Sequence, residues 1–109
     1  MKYFLLSIFL FGLVGCSDAG DFPVPSDYKA KYYVIEKGGS RNEPTITTKR
    51  VGSSGEGYSK RIYNCAQNTV KYLGSGSTLR EMKISKSDVK MSPVIYKSIA
   101  YYVGQQVCK

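Results

Sequence analysis

Histidine and tryptophan are both absent from the 109 residues. Without His the chain has no imidazole base, no Ser-His or Cys-His nucleophile system and few of the usual zinc sets. Acidic residues are scarce, with eight Asp and Glu against sixteen Lys and Arg and a formal charge of +8. So few carboxylates argue against a paired-carboxylate hydrolase and against a calcium cage. Long apolar runs are missing too. The run from Tyr3 to Val14, interrupted by Ser7 and Gly12, is too short to span about 30 Å of hydrocarbon. What remains is an ordinary globular balance, 42% apolar and 22% charged, in a length that suits one domain. No catalytic residue, metal site or cofactor is expected.

The amino terminus is the most specific segment. Lys2 precedes the apolar run, and small residues close it, as in a secretory signal peptide. Leu13-Val14-Gly15-Cys16 then resembles the bacterial lipobox. The resemblance implies diacylglycerol on the Cys16 sulfur, cleavage after Gly15 and acylation of the new amino terminus. Several acyl chains, each gaining about 0.8 kcal/mol per buried CH₂, hold a membrane where one chain does not. Ser17 rather than Asp follows the Cys. That pattern implies the outer membrane in a Gram-negative cell, and the cell membrane in a Gram-positive one.

Three Cys are an odd number for an exported chain. Assigning Cys16 to lipid leaves Cys65 and Cys108 for a disulfide, which an oxidising compartment favours over two buried free thiols. Closing a loop of that length is worth roughly 4 kcal/mol by chain entropy.

Residues 1–15 are thus expected to be a leader, residues 16–30 a lipidated Cys and flexible tether, and residues 31–109 one disulfide-locked domain. Pro23 and Pro25 keep the tether extended, although Phe22 and Tyr28 are candidates to dock on the fold. Strands are expected at Lys31–Lys37, Thr45–Val51, Tyr58–Cys65 and Thr69–Gly74, on their β-branched and aromatic content. Gly52–Gly57 and Gly74–Ser77 read as loops, the first of them mobile. Thr78–Ser85 suits a strand or a short helix, with the strand preferred. Ile99, Tyr102, Val103 and Val107 share one helical face behind a Ser98 cap, and Gly104 weakens that helix by about 1 kcal/mol relative to Ala. The expected class is α+β, a small antiparallel sheet with a carboxyl-terminal helix tied to it by the disulfide.

Ser59-Lys60-Arg61-Ile62-Tyr63-Asn64-Cys65 resembles the Ser-strand-Cys segment of bacterial surface-adhesin protein E-like lipoproteins. Ser92-Pro93 through Ser98 to Cys108 resembles that family's ending. The resemblance implies an antiparallel sheet, a closing helix bridged back to it and, in some members, binding of host matrix or serum proteins.

Other motifs carry less. Gly55-Glu56-Gly57 starts like a dinucleotide fingerprint but lacks the last Gly and precedes a strand. Gly57-Tyr58-Ser59 starts like a nucleophile elbow without its second Gly. Ser87 and Lys90 have Ser/Lys hydrolase spacing without the partner motifs.

Loss of Lys2 with the leader takes the charge from +8 to +7. Lys60, Arg61, Lys83 and Lys86 are candidates to bind an anionic envelope polymer or protein, against the plainer reading of a solvated face. Strand alternation puts Lys60 and Arg61 on opposite faces. An exported lipoprotein is not expected to meet nucleic acid. The pairs Tyr32-Tyr33 and Tyr101-Tyr102 are further binding candidates, since exposed Tyr is common at interfaces. The expected function is a non-enzymatic outer-membrane lipoprotein with an adhesin-like or envelope-binding domain. An inhibitor or phage-exclusion factor, or an accessory lipoprotein of a secretion machine, is the alternative.

Overall fold

A computed structural model describes residues 21–109. The leader, Cys16 and the first residues of the expected tether lie outside the described residues. The rest forms a six-stranded antiparallel meander in which every strand lies beside its neighbours in sequence. The strands are β1 (Asp21–Phe22), β2 (Lys31–Gly39), β3 (Pro44–Gly52), β4 (Gly55–Asn64), β5 (Thr69–Gly76) and β6 (Ser92–Pro93). Helix α1 (Leu79–Ile84) lies between β5 and β6, and α2 (Ile99–Gly104) follows β6. The antiparallel sheet is as expected, but with two six-residue helices the class is mostly β rather than α+β.

Residues 21–30, expected as flexible tether, belong to the domain. Asp21 and Phe22 pair with Tyr33 and Tyr32, and Pro25–Asp27 form a 3-10 turn. Phe22 and Val24 are buried, whereas Tyr28 remains exposed. A two-residue strand has no periodicity to read. Its pairing is set by burial of Phe22 against Tyr32, whose ring centroids lie 6.1 Å apart.

The Gly-rich segments are also strand. Gly52 pairs directly with Gly55, so Ser53 and Ser54 alone turn the β3–β4 hairpin, where a mobile loop was expected. Gly55 has φ +124°, a backbone that side chains rarely adopt. Gly74 and Gly76 end β5 because α1 crosses over them. A Cβ on Gly76 would stand 2.6 Å from Glu81 Cβ, and one on Gly74 would run into the Met82 carbonyl. Thr78–Ser85 therefore forms a helix, not the preferred strand. The Thr78 side chain accepts from Glu81 N at 3.1 Å, and Glu81 Oε1 accepts from Ser77 N at 2.9 Å, a reciprocal cap close to a capping box.

Directly paired residues share a face. One face of the sheet carries Tyr32, Ile46 and Tyr63, and α2 packs here through Val103, while Met82 of α1 is buried on the other. The Ser98 side chain caps α2 as expected, accepting from Tyr101 N at 3.2 Å. Tyr63 donates its hydroxyl to the Ala100 carbonyl at 2.6 Å, holding its ring against the helix. A Cβ on Gly104 would stand 2.8 Å from that ring, so the glycine that weakens α2 is what lets it approach. A disulfide joins Cys65, just past β4, to Cys108, just past α2.

Gly104→Ala should accordingly destabilise the protein by about 1–3 kcal/mol through overpacking, despite the better helix propensity of Ala. Urea unfolding checks the sign. Cys65→Ser should lower stability by about 2–4 kcal/mol in the same assay.

Candidate functional site

Helix α2 covers only part of its sheet face. Along β3 that face runs from Ile46 to Thr48 and Arg50, and along β4 from Tyr63 back to Arg61, Ser59 and Gly57. The face thus turns from apolar to polar where the helix stops. A cavity of about 560 Å³ lies there, lined by Asp27 of the 3-10 turn, Tyr32, Arg50, Arg61, Tyr72 and Ile99 among others. That volume is in the range of small-molecule sites, about 300–1,000 Å³.

Two arginines in the cavity are in opposite situations. Arg50 is paired, with its Nε 2.7 Å from Asp27 Oδ2 and its Nη2 3.3 Å from Oδ1. Tyr32 donates its hydroxyl to the same Oδ2 at 2.7 Å. The Arg50 hydrogen bond, then that from Tyr32, holds the Asp27 carboxyl below its ordinary range. Burial, then the hydrogen bond to Asp27, pushes the Tyr32 hydroxyl up to about 12. The cluster fixes the 3-10 turn to β2 and β3.

Arg61 is only 4% exposed and has no carboxylate within ion-pair distance among the described residues. Its Nη1 donates to Thr48 Oγ1 at 3.3 Å and its Nη2 to the Tyr72 hydroxyl at 2.9 Å. The guanidinium carbon lies 4.6 Å from the Tyr72 ring centroid. Its Nε is buried without a partner. Asp27 is the one acidic residue lining the cavity, and Arg50 already holds it.

Lys60 lies on the opposite face, as alternation requires. There it lines a cavity of about 220 Å³ with Lys83, Glu36, Thr47 and Met82. Lys86 is exposed beyond α1 and does not line it. The expected basic set is therefore split, with Lys60 and Lys83 on one side of the sheet and Arg61 on the other. Lys49, also on the Lys60 face, is engaged by Glu56 at 3.5 Å, whose charge raises its pKa.

The two Tyr pairs separate as well. Tyr32 is buried at the cavity, and Tyr33 alternates to the other face. Tyr101 and Tyr102 are half-buried on α2 and stack edge to face at 5.1 Å, with Tyr96 against Tyr101 at 5.0 Å. Asp27, Thr48 and Tyr72 were not singled out in the sequence. A signal for Thr48 existed, since it shares strand parity with Ile46 and Arg50 in Thr45–Val51. Ser87–Lys90 is an exposed connection in which Asp88 pairs with the β5 edge, accepting from Tyr72 N at 3.1 Å and donating to Tyr72 O at 2.9 Å.

No protein-family model matches the chain, and neither a curated protein nor a solved structure matches it significantly.

The Asp27–Tyr32–Arg50 cluster gives stability opposite pH limits. The lowered Asp27 pKa stabilises the fold above the unfolded carboxylate value of about 3.9, and that contribution is lost as pH falls through the folded value. The raised Tyr32 pKa stabilises it below the free phenol value of about 10, and that contribution is lost as pH rises through about 12. Phenolate absorbance should show Tyr32 ionising after the exposed tyrosines, in a late phase shared with Tyr63, whose hydroxyl burial also pushes up, and Tyr32→Phe should shrink that late phase without abolishing it.

Proposed function

We propose that the protein is an exported bacterial lipoprotein, anchored through Cys16 at the outer membrane, that presents a non-enzymatic binding domain to the envelope or to a protein outside it. The observation that carries the binding reading is the uncovered part of the α2 face, where a cavity is lined by a buried arginine that no carboxylate among the described residues pairs with. Such a cation costs several kcal/mol to hold in a protein interior unless something pairs with it. The Cys65–Cys108 disulfide supports an oxidising compartment. The lipobox-like Leu13-Val14-Gly15-Cys16 supports the anchor.

Because the domain begins by Asp21, the spacer after Cys16 is shorter than the sequence suggested. Five residue steps reach at most about 18 Å. The domain would stand next to the headgroups, and its partner would have to come to the membrane surface.

Labelled palmitate should enter the wild-type protein and not Cys16→Ser. Equal incorporation in both would remove the anchor and the location that rests on it.

A further inference from the structure

We propose that Arg61 anchors a binding site for a hydroxylated carboxylate, the chemistry of a sugar acid, in the cavity beside α2. The proposal rests on the reading of this domain as a binding module and names its ligand class. Three observations converge on it. Arg61 is more than nine-tenths buried, its Nε lacks an acceptor, and the described residues supply no carboxylate to pair with it. Two of its five N–H groups are engaged, by Thr48 and Tyr72, and both of these residues line the cavity. The guanidinium is therefore held in place from the cavity walls before any ligand arrives, which reduces the ordering cost of binding.

Charge selects the anion. Arg50 and Asp27 cancel, so Arg61 leaves the cavity with one excess positive charge. A carboxylate neutralises it, whereas a doubly charged phosphate would bring an unpaired negative charge into the cavity. The planar guanidinium also matches a carboxylate's two oxygens. The walls select what carries the anion. Tyr32, Thr48, Tyr58, Ser59, Tyr72 and Ser75 present hydroxyl-bearing side chains around the cavity, and Ile99 is its one aliphatic side chain. A lining rich in groups that both donate and accept suits a polyol skeleton better than an alkyl chain.

The test uses the full-length protein in detergent micelles, labelled with ¹⁵N-arginine and followed by the Arg61 Nε–H resonance. Glucuronate should shift that resonance saturably, and glucose should leave it in place. Arg61→Gln should weaken glucuronate binding, read from the Ser59 and Ser75 amides, by about tenfold or more. The wild-type titration needs no variant, so a misfolded Arg61→Gln leaves it decisive. An Arg61 resonance indifferent to glucuronate overturns the proposal, as does an equal response to glucose. A response to inorganic phosphate or N-acetyl-Ala-Ala but not to glucuronate overturns the ligand class. Palmitate incorporation with no Arg61 response would leave the anchor standing and remove this site. An Arg61 response without palmitate would do the reverse.

Discussion

A six-residue helix has to close a sheet face built from strands of nine and ten residues. At 1.5 Å per residue such a helix covers about 9 Å, while a nine-residue strand reaches about 30 Å. That mismatch decides where the core ends. It also explains the local chemistry around α2. So short a helix has little stability of its own, and its position must come from contacts. Ser98 satisfies its first turn, and Tyr63 reaches up to the Ala100 carbonyl. Gly104 removes the Cβ that would hold the Tyr63 ring away, and Cys108 fastens the chain just beyond. A larger residue at Gly104 would lift the helix from Ile46 and Tyr63, the largest fully buried strand side chains.

Where α2 stops, the same sheet face continues in Thr48, Arg50, Ser59 and Arg61. Only the 3-10 turn reaches over this part of the face among the described residues, so whatever these groups leave unpaired falls to water or a ligand. Arg50 has an internal solution in Asp27, carried by the 3-10 turn that β1 positions. Arg61 has hydroxyl partners and an aromatic face instead. Those contacts orient a guanidinium but do not neutralise it. The two-residue strand β1 thus matters beyond its size, because the 3-10 turn that follows it brings Asp27, the one acidic residue of the cavity lining among the described residues, to Arg50 and not to Arg61.

The four long strands were legible because their β-branched and aromatic runs are continuous, and their bounds differ from expectation by three residues at most. The α2 cap was legible from Ser98 ahead of a helical apolar spacing, and the disulfide from assigning Cys16 to lipid, which leaves two Cys to pair. Three features were not, each for a physical cause. Phe22 and Val24 sit among Pro, Asp and Ser, and only the tertiary fold supplies the groove that buries them. Gly74 and Gly76 suggested a loop because glycine's other use, admitting a helix across a strand, depends on what crosses it. Helix α1, by contrast, was legible as one of two readings, since Thr78 and Glu81 have the spacing of a capping box, although the strand was preferred. Alternation put Arg61 on the face opposite Lys60, yet it was grouped with Lys60, Lys83 and Lys86 as one basic set. Parity gives the face, whereas burial depends on which part of that face α2 and the 3-10 turn reach.

Magnitudes separate the two basic surfaces. Lys60 and Lys83 flank a cavity that also contains Glu36, and neither is buried. Long lysine side chains at such a place keep their ammonium groups hydrated, so leaving them unpaired costs little and pairing them contributes at most about 1 kcal/mol. Arg61 has no such freedom, because the residue is only 4% exposed and its Nε is cut off from solvent. Several kcal/mol of desolvation are already committed at that position in the unliganded fold. An anion arriving there recovers part of a penalty that the folded chain carries anyway. An anion arriving at Lys60 and Lys83 displaces water that was already satisfactory. Net charge alone points equally to both faces, and burial directs the binding of an anion to the face of Arg61.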